Sequence, residues 1–204
     1  SAAYEAQIAF RDDGMMGYLE VPRMGQTLPI YHGTSEATLA RGVGHLVGSA
    51  LPVGGASTHC VLSAHRGLPS AALFTDLDKL ALGDRFYVHV LGKTLAYEVD
   101  QVLTVDPDDT ASLDVEPGAD LVTLVTCTPY GVNTQRLLVR GHRVEYVPGE
   151  QGAQVPAASL ATNYLLWVMV GLVAVAAFVV VARRRVRGAS RRRGVRQGGG
   201  RHAR

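Results

Sequence analysis

The 204-residue chain has only two cysteines (Cys60, Cys127), two lysines (Lys79, Lys93) and 6% aromatic residues, and no acidic residue follows Glu150. Two cysteines cannot build a disulfide scaffold, so any folded domain must be held by its core; about 150 residues are enough for one. A disulfide between Cys60 and Cys127 would need their strands to be neighbours in unusual geometry. No CxxC or HxxxH spacing supports a zinc site, and no internal repeat is visible. The sequence opens without an initiating Met or signal peptide, as expected of a chain beginning partway through a precursor or trimmed at its N-terminus.

Charge is present but segregated. Residues 1–163 hold 10 basic and 18 acidic residues, a net −8, whereas residues 183–204 hold ten arginines and no acid. Between the two blocks, Tyr164–Ala182 runs 19 residues without a charge. As a helix rising about 1.5 Å per residue it spans roughly 28 Å, close to the hydrocarbon thickness of a bilayer. No polar face interrupts it, which disfavours a buried core helix. It is therefore expected to cross a membrane, with Tyr164 and Trp167 at one interface and the arginines on the cytoplasmic side. The acidic domain is then extracellular. The basic tail, directly after this span, is explained by topology and anionic lipid rather than nucleic acid.

Residues 1–16 put Tyr4 and Ile8 at helical spacing among good helix formers, and Asp13-Gly14 ends the segment, which predicts an N-terminal helix. From Gly17 onward seven β-rich runs alternate with Gly, Pro and Asp: GYLEVP, LPIYHG, THCVLSAH, DRFYVHVLG, TLAYEVDQVLTV, ADLVTLVTC and QRLLVRGHRVEYVP. This spacing predicts an all-β sandwich or barrel over residues 17–148, with short helical turns at Ser35–Arg41 and Ala71–Leu80. Residues 149–163, small and mostly polar, read as a linker to the membrane segment 164–182 and the tail 183–204. The acidic stretch Asp106–Glu116 lacks regular calcium-ligand spacing and reads as a solvated loop.

Two strand ends carry reactive chemistry. Cys127 closes LVTLVTC just before Thr128-Pro129-Tyr130-Gly131 turns the chain, a position open to a substrate, although most free cysteines are buried apolar residues. His65 closes THCVLSAH before Arg66-Gly67-Leu68-Pro69 in the same way, and its imidazole can serve as acid or base near neutral pH. The remaining histidines lack that context. Strand alternation puts Cys60 on the face opposite His65, in the core. Arg136, nine residues after Cys127, can return beside the thiol through a hairpin, where its fork suits a carbonyl or an oxyanion. Arg140 and Arg143 compete for that role, and a solvated strand end is the plain alternative for Arg136.

The segments Gly17–Gly55, LSAHRGLPSAALFTDLDKL and TLVTCTPYGVNTQRLLVRGHR, in that order, resemble the sortase family over residues 4–148, and the wording TCTPYGVNTxRLLVRG and LPIYHGTSE, with a C-terminal anchor, resembles its class C, pilus-assembling members. The resemblance implies an eight-stranded β-barrel. It further implies Cys127 as nucleophile, His65 as general acid, Arg136 as substrate-positioning or oxyanion residue, and no metal or organic cofactor. The partners it implies are pilins with LPxTG-type sorting signals, the accepting amine being a pilin lysine. A housekeeping sortase differs only in the accepting amine. A sortase substrate, a membrane-anchored pilin or adhesin, shares the layout of β domain, apolar segment and basic tail, but Val155-Pro156-Ala157-Ala158-Ser159 lacks the threonine and glycine of a sorting signal. Gln135 stands where the class often has His, and Ala64 where it often has Gly. Class C members usually carry a lid with an Asp-Pro-aromatic motif ahead of the first helix, and this sequence begins after that point; its Asp106-Pro107 is followed by Asp108 and lies in another region, so as written the thiol is expected to be open.

Overall fold

The computed structural model describes residues 2–8, 13–69 and 71–149. Eight strands close into a barrel: β1 (Met15–Val21), β2 (Gln26–His32), β3 (Val43–His45), β4 (Thr58–Ser63), β5 (Arg85–Val90), β6 (Lys93–Val105), β7 (Asp120–Thr128) and β8 (Gln135–Val144). Their order around the wall is β1-β2-β3-β4-β7-β8-β6-β5. Most neighbours are antiparallel, but β2 with β3 and β4 with β7 run parallel. Among the described residues, closure leaves no strand of the barrel with an open edge.

Alternation within each strand fills the barrel. Cys60 and Leu62 of β4, Val122 and Leu124 of β7, and Leu137 and Val139 of β8 point inward with Phe74, Phe86 and Tyr97. Each fully buried Leu or Phe contributes about 1.5–3 kcal/mol by leaving water. The outer face of β4, β7 and β8 is covered in its turn. Val61, Leu121, Thr123 and Leu138 are buried, and the β6–β7 connection is tied over them: His59 Nδ1 meets the Asp114 carbonyl at 2.9 Å, and Nε2 meets Thr123 Oγ1 at 2.7 Å. The acidic stretch is thus a structural cover, with no cluster among the described residues able to hold a metal.

Strand β3 is the element the β-rich runs do not announce. It has three residues, and its central Gly44 sits where a Cβ would lie 2.4 Å from the Gly33 carbonyl oxygen and 2.9 Å from Leu39 Cδ2. Close approach of the 33–39 loop, not a hydrophobic pattern, makes it a strand.

The expected helix over residues 1–16 is shorter: α1 covers Ala2–Glu5, and Met15 and Met16 already belong to β1. Contacts to the barrel replace helical hydrogen bonds. Tyr4 OH lies 2.6 Å from Nδ1 of the buried His45, whose pKa burial lowers, and it accepts from Gly33 N at 3.1 Å. Gln7 and Gly14 carbonyls meet the two ring nitrogens of His32 at 2.6 and 3.0 Å. The helical turn expected within Ser35–Arg41 is α2 (Glu36–Leu39), N-capped by Ser35 Oγ, which accepts from Thr38 N. Leu77–Lys79 forms a single 3-10 turn in the other. Among the described residues no helix is long and apolar enough to cross a membrane. The membrane segment 164–182, the tail and all of the linker from Glu150 onward lie outside the described residues.

Candidate active site

Cys127, His65 and Arg136 meet at one end of the barrel wall. In the parallel β4–β7 ladder Ser63 pairs with Val125, so two residues further on His65 and Cys127 stand level. Cys127 is in turn the direct antiparallel partner of Arg136 across β7–β8. The nine-residue separation is closed by the turn at Thr128–Thr134, which includes a cis Thr128-Pro129 bond. All three side chains line a cleft of about 240 Å³ together with Leu39, Leu46 and Val125.

Each member is held by its own contacts. Arg136 Nη1 donates to the Gln135 carbonyl at 3.0 Å and the Asn133 carbonyl at 3.4 Å, and the residue lines the cleft. The His65 carbonyl accepts from Phe74 N at 3.1 Å. Its Nε2 lies 3.3 Å from Glu36 Oε1, at the first turn of α2. Glu36 is the feature sequence reasoning missed. It lies 29 residues from His65, and nothing short of the β2–β3 connection folding over the cleft brings them together.

The competing arginines are engaged elsewhere. Arg140 pairs with Thr123, four residues down the strand, and its guanidinium is gripped by Asp100 and Glu116, which raise its pKa. Arg143 pairs with Asp120 and lies over the Tyr97 ring. Cys60 is buried, and desolvation first, with the Asp120 carboxylate second, pushes its thiol pKa far up. Both cysteines are free thiols, so no disulfide forms between the two neighbouring strands. Alkylation of the native protein with iodoacetamide is therefore expected to label Cys127 and spare Cys60, and Cys60→Ala to keep its activity at a cost of about 1 kcal/mol. Peptide mapping of the adduct and a denaturant melt check both.

The barrel that carries this cleft has counterparts among known proteins. The profile of the Sortase domain family matches residues 19–144. The chain belongs to the sortase family. Among curated sortases, Sortase D of Bacillus subtilis (strain 168) is 31% identical over 131 residues, 63% of this chain and 63% of that protein. Sortase A of Streptococcus agalactiae is 28% identical over 128 residues, 61% of this chain and 51% of that protein. The match thus spans between half and two thirds of these curated sortases. Solved structures are more similar. Sortase C1 of Streptococcus agalactiae superposes with a TM-score of 0.70 at 56% identity, covering 72% of this chain and 76% of that one. Sortase C-1 of Actinomyces oris gives 0.69 at 52%, covering 71% and 81%. The expected eight-stranded sortase barrel is present, and its class C wording agrees with these neighbours. At the two positions that depart from that wording, Ala64 packs in the core and Gln135 reaches Asp106 at 3.5 Å.

Proposed function

We propose that this sortase-family chain is a membrane-anchored cysteine transpeptidase that joins pilin subunits through an LPxTG-type sorting signal. The convergence of Cys127, His65 and Arg136 on one cleft, with Cys127 and Arg136 as cross-strand partners, carries the reading. The Cys127 thiolate attacks the threonine carbonyl carbon of the signal. Arg136 stabilises the charge that develops on its oxygen, and His65 protonates the departing glycine amine as the peptide bond breaks. A thioacyl enzyme remains. The neutral ε-amine of a lysine on the next pilin then attacks, His65 takes its proton, and an isopeptide bond forms as the carbon–sulfur bond breaks and the Cys127 thiolate is released. These steps use only the chain's own side chains.

The pilus assignment rests on likeness to sortases C, one of them named as a pilus-related sortase of group B Streptococcus. A housekeeping role would change only the acceptor. Discrimination comes from offering the full chain, in mild detergent, a fluorogenic LPxTG-type peptide with either a pilin-derived lysine peptide or an oligoglycine acceptor. Preference for lysine supports pilus assembly, and preference for glycine sinks it. No cleavage at all, from folded protein, moves the non-catalytic adhesin reading ahead.

The anchor belongs to the same proposal. The uncharged run 164–182 followed by ten arginines supports a single span with the barrel outside the cell. The full chain is expected in the membrane fraction after carbonate washing, and a chain ending at residue 163 in the soluble fraction. Recovery of both as soluble protein would overturn the anchor.

A further inference from the structure

We propose that Arg66 is a positioning residue that sets the distance between His65 and Cys127 by clamping the two strand ends together. The inference rests on the transpeptidase reading above. Ladder pairing between β4 and β7 ends at Ser63 and Val125. One step further the strands are tied by Ala64 N donating to the Val125 carbonyl at 3.1 Å and by Thr126 Oγ1 donating to the Ala64 carbonyl at 2.8 Å. His65 and Cys127 come next, and among the described residues no hydrogen bond joins them. The following position is tied again: Arg66 Nη1 donates to Thr128 Oγ1 at 3.2 Å. The reactive pair therefore occupies a gap in the ladder that is bracketed on both sides.

The bracket beyond the pair is a side chain, so its strength depends on how firmly Arg66 is held. Its side chain is only 8% exposed. Nη2 is anchored on Asp78 in the 3-10 turn, and the guanidinium lies 5.9 Å from the centroid of the Tyr130 ring. Gly67 permits this contact: it sits at φ +75°, and a Cβ there would come within 2.9 Å of Tyr130 Cε2. Arg66 thus joins three segments, the turn after β4, the turn after β7 and residues 71–80, without lining the cleft itself. Nε is buried with no hydrogen-bond acceptor among the described residues, so the side chain is held through Nη1 and Nη2. A planar fork can meet Asp78 and Thr128 at once, whereas a lysine offers one point charge.

A displacement of about 1 Å between reacting groups can cost about 10²-fold in rate. With the full chain and a fluorogenic LPxTG-type peptide, Arg66→Met is expected to lower kcat about 10²-fold while KM stays within about twofold. Thr128→Val, which removes only the accepting hydroxyl, should lower kcat less. Arg66→Lys should recover part of the loss, and the double variant Arg66→Met/Thr128→Val should be no worse than Arg66→Met, as for two halves of one contact. Alkylation of Cys127 by iodoacetamide gives a readout free of turnover, and both single variants should change its rate relative to the parent. Parent-like kcat in folded Arg66→Met, or additive losses in the double variant, would overturn the clamp. If the parent cleaves no sorting peptide, the transpeptidase reading fails by itself, and unchanged alkylation rates in both variants then overturn the clamp independently.

Discussion

Cys127→Ala is expected to lower transpeptidation by at least about 10⁴-fold and to yield no thioacyl adduct when assayed by mass spectrometry beside the parent, while peptide binding persists. Loss of a covalent nucleophile leaves only binding and oxyanion stabilisation, and a neighbouring histidine cannot replace the bond that the sulfur forms. The fold should be unaffected. Cys127 is half-buried at the end of β7, outside the core cluster, and its backbone stays paired with Arg136 whatever its side chain. Cys60→Ala is the matched control. Both variants delete one sulfur, but Cys60 faces Leu62 and Val122 in the barrel interior, on the opposite side of the wall from the cleft. Equal loss of adduct in both variants would mean that the thiol assignment is wrong.

The largest effect on stability is expected from Phe74→Ala. Phe74 is fully buried in the main core, in the segment linking β4 to β5. Truncation loses the ring's transfer free energy and leaves a cavity, about 3–5 kcal/mol in all. For a domain of this size that lowers Tm by roughly 10 °C, measurable by differential scanning calorimetry. The same residue also donates its backbone N–H to the His65 carbonyl at 3.1 Å. Activity at a temperature where the variant remains folded is therefore expected to fall as well, because His65 stands on the backbone that Phe74 supports. A Tm within about 2 °C of the parent would show that the neighbouring side chains collapse into the space.

These two expectations depend on different kinds of information. The Cys127 result is legible in LVTLVTC followed by Thr128-Pro129, because a thiol where a strand must turn has few places to go except the barrel rim. Phe74 lies among Ala71, Ala72, Leu73 and Thr75, where helical and turn readings compete. Nothing in that run says that its backbone meets the His65 carbonyl. The N-terminal segment shows the reverse error: its spacing reads as a helix up to residue 16, but His32, distant in sequence, meets the Gln7 and Gly14 carbonyls and His45 meets the Tyr4 hydroxyl, which ties the segment to the barrel instead.

By itself the sequence determined the β content, the separation of acidic and basic blocks around an uncharged run, the inward face of Cys60 and the strand-end places of Cys127 and His65, with Arg136, Arg140 and Arg143 left as competing partners. Each of these follows from local periodicity or from residue type, which chain neighbours alone can express. Only the tertiary structure decided that β4 and β7 run parallel, so that His65 and Cys127 end level; that β3 forms at Gly44; and that Glu36 and Arg66 flank the reactive pair. Those facts depend on which strands become neighbours and in what register. Parallel pairing joins segments some 60 residues apart, and no local pattern records the offset at which they meet.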